Sequence, residues 1–249
     1  MNTHFLRLNQ DKTKIIVIVP PSLRNEIVVN GMFLNNECIG FVDSAKNLGF
    51  VLDRVLTFEP QVKKVVKSCF MMIRKLYSIR QFLTTNQLKQ LVCSKVFSNI
   101  DYCNALYFGM NASLLKKLQH VQNSAARLII RKGCPMSLDN FFLDSHWLKV
   151  RQRIIYKIVL MVHKCVHLKA PQSLSGLLKF GDSGRTMKLQ ELKVNSKFGA
   201  RAFSRVGPKL WNCLPLQIRS EYDTDVFKKS LKSYLMLNTE TLNVKFKTR

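Results

Sequence analysis

The chain has 249 residues, 47% hydrophobic and 10% aromatic, which is enough apolar side chain for one large core or two small ones and too much for a disordered chain. Without an apolar run of about 18 residues or a charged-then-apolar leader after Met1, it reads as an intracellular protein of nucleus and cytoplasm with no membrane partner. Lys and Arg number 40 against 15 Asp and Glu, a formal charge of +25, so a compact fold repels itself unless a polyanion relieves it; nucleic acid is the usual one, and an anionic surface or mere solubility are the alternatives.

Residues 13–53 read as extended. Lys14–Val19, KIIVIV, is a β-branched strand that Pro20-Pro21 would end. In EIVVNGMFL, Asn30-Gly31 between two apolar runs predicts a hairpin turn. ECIGFV and NLGFVLD complete a small antiparallel sheet, with a polar turn expected at Asp43–Lys46. Six basic and six acidic groups leave residues 1–60 neutral, so all of the +25 lies beyond them.

The period changes after Thr57-Phe58-Glu59-Pro60. Val62, Val65, Val66, Cys69, Phe70, Ile73, Leu76 and Tyr77 form one face of a long helix over 61–83. Lys63, Lys64, Lys67, Arg74, Lys75 and Arg80 lie mostly off that face, and Lys63 to Lys95 holds eight basic groups and no acid. A second helix is expected over Asn86–Phe97. A third runs from Ser113 to Ile130 with Leu114, Leu118, Val121, Ala125 and Leu128 as its stripe, and Gly133-Cys134-Pro135 stops it. A fourth covers Trp147–His167, with Ile154, Ile155, Ile158, Val162 and Cys165 inside. Residues 179–198 are polar and read as a loop or linker; an aromatic-rich segment to Ile218 follows, then a basic helix over Asp223–Leu237.

Signs of catalysis are sparse. The acids of the first 60 residues form no adjacent or helical i, i+3 pair, and no glycine-rich phosphate loop or G-x-S-x-G occurs. The seven cysteines contain no C-x-x-C, which disfavours a disulfide framework or zinc ribbon. His163 and His167, a turn apart with Cys165 between them, could begin a zinc site but lack a third ligand. Trp147 and Trp211 suit core anchors better than base-stacking platforms. Arg151 and Arg153 either grip phosphates or form internal ion pairs. The basic side of the 61–83 helix is the best nucleic-acid candidate, against the plainer reading of a solvated charged face.

The segments FLRLNQDKTKIIVIV, NLGFVLD, IDYCNALYFG, LQHVQNSAARLI, HWLKVRQRIIYKI, KAPQSL, GARAFSRVGPKLWNCLPLQIR and FKKSLKSYL occur in this order. Together they resemble the C-terminal half of the reverse transcriptase of non-LTR (LINE-type) retrotransposons, over about Phe5 to Leu235. The resemblance implies that Asn9–Thr13 matches the family's N-x-x-K-T turn, with Lys12 near the incoming nucleotide's phosphates. It implies that Leu48, Gly49, Phe50 and Asp53 match a primer-grip hairpin, L-G-x-x-L-D, and that the helices match the thumb. It also implies a chain that begins inside the palm sheet, without the upstream Asp-Asp pair that holds Mg²⁺ in the parent enzyme, so neither cofactor nor independent catalysis is expected. A palm remnant without neighbours would expose a sheet edge and be marginally stable. Lys149 stands where relatives often have Pro, and no C-terminal zinc knuckle is present.

The fold class expected is α+β, mainly α: a small N-terminal antiparallel sheet, then a helical thumb-like bundle. The divisions are a palm remnant at 1–56, a helical region at 57–180, a linker at 181–198 and a basic segment at 199–249. The expected partners are RNA/DNA hybrid, RNA or DNA, through backbone contacts from Lys63, Lys64, Lys67, Arg74, Lys75, Arg80, Arg151 and Arg153, and the missing palm of the parent protein. The alternatives are a stand-alone helical protein-interaction module and the inert product of a decayed element.

Overall fold

The computed structural model describes residues 9, 12–19, 31–34, 37–130, 135–181, 187–194, 196 and 198–238. It is α+β and mainly helical: a small antiparallel region, then helices. The chain forms two compact units, 1–67 and 68–249, so the division falls within a helix and not at 56/57, and the expected regions 57–180 and 199–249 share most of one unit. Among the described residues no helix is long and apolar enough to cross a membrane.

The N-terminal unit is built on two hairpins. Strands β1 (Gly31–Leu34) and β2 (Glu37–Gly40) pair antiparallel, with Leu34 opposite Glu37 and Gly31 opposite Gly40. Of the expected Asn30-Gly31 turn, Asn30 and the run before it lie outside the described residues, and Gly31 is the first residue of β1. A Cβ on Gly31 would sit 2.7 Å from the Ile39 carbonyl oxygen and 2.8 Å from Cys38 Sγ, so glycine admits this close strand contact. Strands β3 (Ser44–Asn47) and β4 (Phe50–Asp53) form the second hairpin. The expected turn at Asp43–Lys46 is thus mostly strand, and the chain reverses at Leu48 and Gly49, with φ of 46° and 87°. Positive φ at both central residues is the type I′ geometry whose twist suits a two-residue hairpin; Leu at the first of them hid it from the Asn-Gly rule. Of the expected KIIVIV strand, Ile15 alone is bridged, parallel to Phe41, and its carbonyl accepts the Val42 N–H at 2.9 Å.

Helix α1 (Glu59–Ile79) follows, and its Val62, Val65, Cys69 and Leu76 are buried as the stripe predicts. Tyr77, assigned to the same stripe, is 63% exposed. In the C-terminal unit, α2 (Thr85–Val92) opens with a capping box between Thr84 and Gln87. The expected single helix to Phe97 is broken: α2 passes into a π-helical turn at Cys93–Phe97 and then α3 (Ser98–Asp101). Helix α4 (Ala112–Ile129) buries its whole predicted stripe. Of the expected stop signal, Gly133 and Cys134 lie outside the described residues.

A helix missed in the sequence, α5 (Leu138–Asp144), is capped by Ser137 and buries Phe141 and Phe142. Helix α6 (Val150–Val166) starts three residues later than expected and is the central element, its Ile154, Ile155, Ile158, Val162 and Cys165 all buried. A short α7 (Gln172–Ser175), α8 (Phe203–Asn212), α9 (Leu216–Arg219) and α10 (Thr224–Leu237) complete the unit. Gly207 of α8 lies where an added Cβ would come within 2.9 Å of Val162, so glycine lets α8 approach α6 closely.

The expected linker at 181–198 is in part packed structure. Leu189 is buried and bridges Phe180, and the Asn212 side chain both accepts from the Leu189 N–H and donates to its carbonyl, each at 2.9 Å. Trp211 Nε1 donates to the Met187 carbonyl at 2.8 Å. Polar composition signalled a loop; the strand-like grip by one Asn and one Trp left no trace in the local pattern.

Candidate nucleic-acid interface

The residues matched to the primer grip and the phosphate turn all lie in the N-terminal unit. Asn9 Oδ1 accepts the Lys12 N–H at 3.1 Å and the Asn9 carbonyl accepts from Thr13 Oγ1 at 2.7 Å, so N-x-x-K-T closes a turn with Lys12 exposed on it. Leu48 and Gly49 form the tip of the second hairpin, and Leu48 is 88% exposed. Phe50 faces inward, edge-on to Phe58 with ring centroids 5.7 Å apart. Asp53 is buried, and its carboxylate accepts from the Thr57 N–H, Thr57 Oγ1 and the Phe58 N–H at 2.7–2.8 Å. These bonds occupy Asp53 in shaping the turn into α1. Gln61 Oε1, also buried, accepts the Val51 N–H at 3.0 Å.

The cations of α1 divide by what they already touch. Lys63 pairs with Glu59 at 2.9 Å across one helical turn. Lys64 Nζ donates to the Gly49 carbonyl at 3.0 Å and so ties the hairpin tip to its own unit's part of the helix. Arg80, just past the end of α1, donates through Nη2 to the Ile130 carbonyl at 3.4 Å and is half-buried. Lys67, Arg74 and Lys75 are exposed and have no acidic partner among the described residues. By helical spacing these three share one side of α1, and Met71 lies among them. Their ammonium and guanidinium groups are available to an external anion, whereas those of Lys63, Lys64 and Arg80 are committed in whole or part.

Arg153 of α6 resolves the other way. Arg153 makes a two-pronged pair with Asp101, Nε to Oδ1 at 2.8 Å and Nη2 to Oδ2, and its guanidinium lies 5.0 Å from the Phe97 ring centre. Of the two readings the sequence left open, the internal ion pair is the one the structure contains. Burial pulls the pKa of Arg151 below its ordinary value, and that side chain is also half-buried.

The same contact explains the D-Y-C-N motif. Asp101 also accepts from Asn104 Nδ2 at 3.2 Å, and Cys103 between them takes φ of 53° to bring Asn104 inward. The signal for Asp101 was the motif itself, but its partner is 52 residues away.

Related ties use other motif residues. Gln122 donates to the Leu148 carbonyl at 2.8 Å; Gln119 Oε1 accepts the Val150 N–H at 3.0 Å; Gln152 donates to the Leu235 carbonyl at 2.6 Å. Lys149 pairs with Asp139 at 2.8 Å while its N–H donates to Gln152 Oε1, and together these hold the start of α6.

Trp211 is fully buried, and Trp147 is half-buried with its ring 4.5 Å from Phe97 and 5.4 Å from Phe141, both edge-on. His163 is buried, stacked on Phe227 at 4.0 Å, and its Nε2 lies 2.9 Å from the Glu221 carbonyl oxygen. That bond requires Nε2 to carry the proton, and burial pushes the His163 pKa down to about 4. His167 packs against it at 4.4 Å with its own pKa lowered by burial. This pair belongs to an aromatic core, and among the described residues no three His, Cys, Asp or Glu side chains gather to hold a metal. No family model, curated protein or solved structure matches the chain.

Proposed function

We propose that this chain is a nucleic-acid-binding segment of a non-LTR retrotransposon RNA-directed DNA polymerase, whose helix α1 grips the backbone of template–primer. The observation that carries the reading is the set Lys67, Arg74 and Lys75, exposed on one side of α1 without acidic partners among the described residues, in a stretch from Lys63 to Lys95 that holds no acid. Cations on a helix side, with no groove-reading constellation beside them, fit phosphate contact without base readout. On this reading α1 supplies the binding of the template–primer backbone.

Fluorescence anisotropy with labelled RNA/DNA hybrid, single-stranded RNA and duplex DNA tests it. Three to five phosphates neutralised predict a log–log salt slope of about −2.7 to −4.5 on duplex DNA. Lys67→Glu/Arg74→Glu/Lys75→Glu should remove binding while leaving the circular dichroism unchanged. Folded protein that binds none of the three at low salt overturns the reading. A protein-interaction role for the same helix is favoured by its exposed Met71, Tyr77 and Ile79, and that role predicts an association insensitive to salt.

A further inference from the structure

The C-terminal unit contains a cleft of about 400 Å³, within the range of small-ligand sites. Its walls come from the π-helical turn, α3, the run before α6, α6 itself and α10. We propose that this cleft is a nucleotide pocket: it takes one unstacked base on its aromatic wall and the attached phosphate on Lys157 and Lys232. The proposal rests on the nucleic-acid reading above and names a second point of contact.

Three observations carry it. The first is charge. Asp101 is the one acid on the wall, and Arg153 already neutralises it through both oxygens. Lys157 and Lys232 face the same space with no acidic partner among the described residues, so the cleft is net cationic. A phosphate between two ammonium groups would gain charge-assisted hydrogen bonds that neither lysine makes among the described residues.

The second is shape and surface. Trp147 lines the cleft and is half-buried, backed edge-to-face by Phe97, which is itself 2% exposed and so supports the indole from behind. An aromatic wall beside paired cations is the arrangement that accepts a splayed base, since every base has a π face.

The third is hydrogen-bonding capacity. Asn104 is 3% exposed, and its Oδ1 has no partner within the described protein; Ser145 Oγ on the same wall also has none. Buried polar atoms are normally satisfied, and an acceptor and a hydroxyl left over beside an aromatic wall suit the edge of a base. The π-helical turn is itself informative: it contributes Cys93 and Phe97 to this wall, and such turns often sit at functional sites.

Cys93 is an exposed thiol on the cleft wall and reports occupancy directly. The full chain is labelled with N-ethylmaleimide and each thiol followed by peptide mass spectrometry, with exposed Cys213, not part of the wall, as the internal reference. The probes are adenosine monophosphate, a short single-stranded DNA, ribose 5-phosphate and inorganic phosphate. The expected result is that the mononucleotide and the oligonucleotide each slow Cys93 labelling and leave Cys213 unchanged. Lys157→Gln/Lys232→Gln should raise the half-protecting concentration about tenfold or more. Tighter protection by the oligonucleotide than by the mononucleotide supports a strand as the source; equal protection supports a free nucleotide in the same pocket. Protection by ribose 5-phosphate or phosphate equal to that by the mononucleotide overturns the proposal, because the base then contributes nothing. Absence of protection by any probe at about 1 mM overturns it as well.

The triple reversal on α1 keeps the two readings apart. It should abolish duplex binding without altering Cys93 protection by the mononucleotide. Wild-type protein that binds duplex but shows no Cys93 protection loses the pocket and keeps the proposed function. Protection without any salt-dependent duplex binding loses that function instead.

Discussion

The two compact units are held together by different kinds of bond. In residues 1–67 the polar ties made by side chains are short in sequence: Asp53 to Thr57 and Phe58, Gln61 to Val51, Lys64 to Gly49. Phe50, Phe58, Val62 and Val65 are its buried apolar side chains among the described residues, while Met32 and Phe33 of β1 are 58% and 78% exposed. In residues 68–249 a broad apolar core is crossed by long-range ties, Asp101 to Arg153, Gln122 to Leu148 and Gln152 to Leu235. The difference teaches what the most distinctive motifs do. D-Y-C-N, L-Q-H-V-Q-N and V-R-Q-R are largely the means by which α3, α4, α6 and α10 hold one another. The side chains left available to an external partner, Lys67, Arg74 and Lys75 on α1 and Lys157 and Lys232 on the cleft, belong to plainer stretches.

The contrast is broken most severely at Trp211. Trp211→Ala removes a fully buried indole and its bond to the Met187 carbonyl, and should cost about 3–5 kcal/mol in the helical unit, read by urea denaturation. Hydrogen exchange at the β3–β4 amides should be unchanged if the N-terminal hairpin is held by its own short-range bonds.

Acid should act on the same unit. His163 is neutral in the fold with a pKa of about 4, against 6.5 when unfolded, so the unfolded chain binds the proton more readily. Its contribution is complete above about pH 6.5 and is lost as pH falls through 6.5 toward 4, by about 3 kcal/mol at most. His163→Gln should flatten that part of the stability–pH curve.

Arg153→Ala leaves Asp101 half-buried without its partner and should destabilise by about 2–3 kcal/mol. Arg153→Lys should recover only part of this, because an ammonium cannot reproduce the two-pronged contact. A loss of similar size in Asp101→Ala, with less than additive effect in the double variant, would support the tie; additivity would exclude it.

The smallest expected effect sharpens the comparison from the other side. Asp53→Ala removes three hydrogen bonds at the turn into α1 and should cost about 1–2 kcal/mol, seen as faster exchange at Thr57 and Phe58 with the helical unit's denaturation midpoint unchanged.

Much of the helical architecture was legible in the chain. The stripe of α4, the interior of α6 and Val62, Val65, Cys69 and Leu76 of α1 are buried as their spacing predicts, and α10 is capped by Asp223, whose carboxylate accepts from the Asp225 and Val226 N–H groups at 2.8 Å. Helix α5 escaped because its seven residues are too few for periodicity to register, and the break at Cys93 escaped because a π turn leaves the residue pattern almost unaltered. The β3–β4 hairpin was anticipated in kind and its turn misplaced, since the reversal at Leu48-Gly49 uses positive φ at a leucine that propensity does not favour.

The candidate site divides along the same line. That α1 carries a basic side followed from composition and helical spacing, because both are properties of a single element. Which of its cations remain available was decided by partners: Glu59 for Lys63, the Gly49 carbonyl for Lys64, the Ile130 carbonyl for Arg80. The commitment of Arg153 to Asp101, the packing of Met187–Val194 against α8 and the meeting of Trp147, Lys157 and Lys232 around one cleft depend on residues far apart in the chain. Sequence by itself determines local periodicity, caps and net charge, which act over one helical turn or over the whole molecule. Only the tertiary structure decides which polar side chains are consumed by burial, because an unpaired buried charge or amide takes whichever partner the packing brings to it.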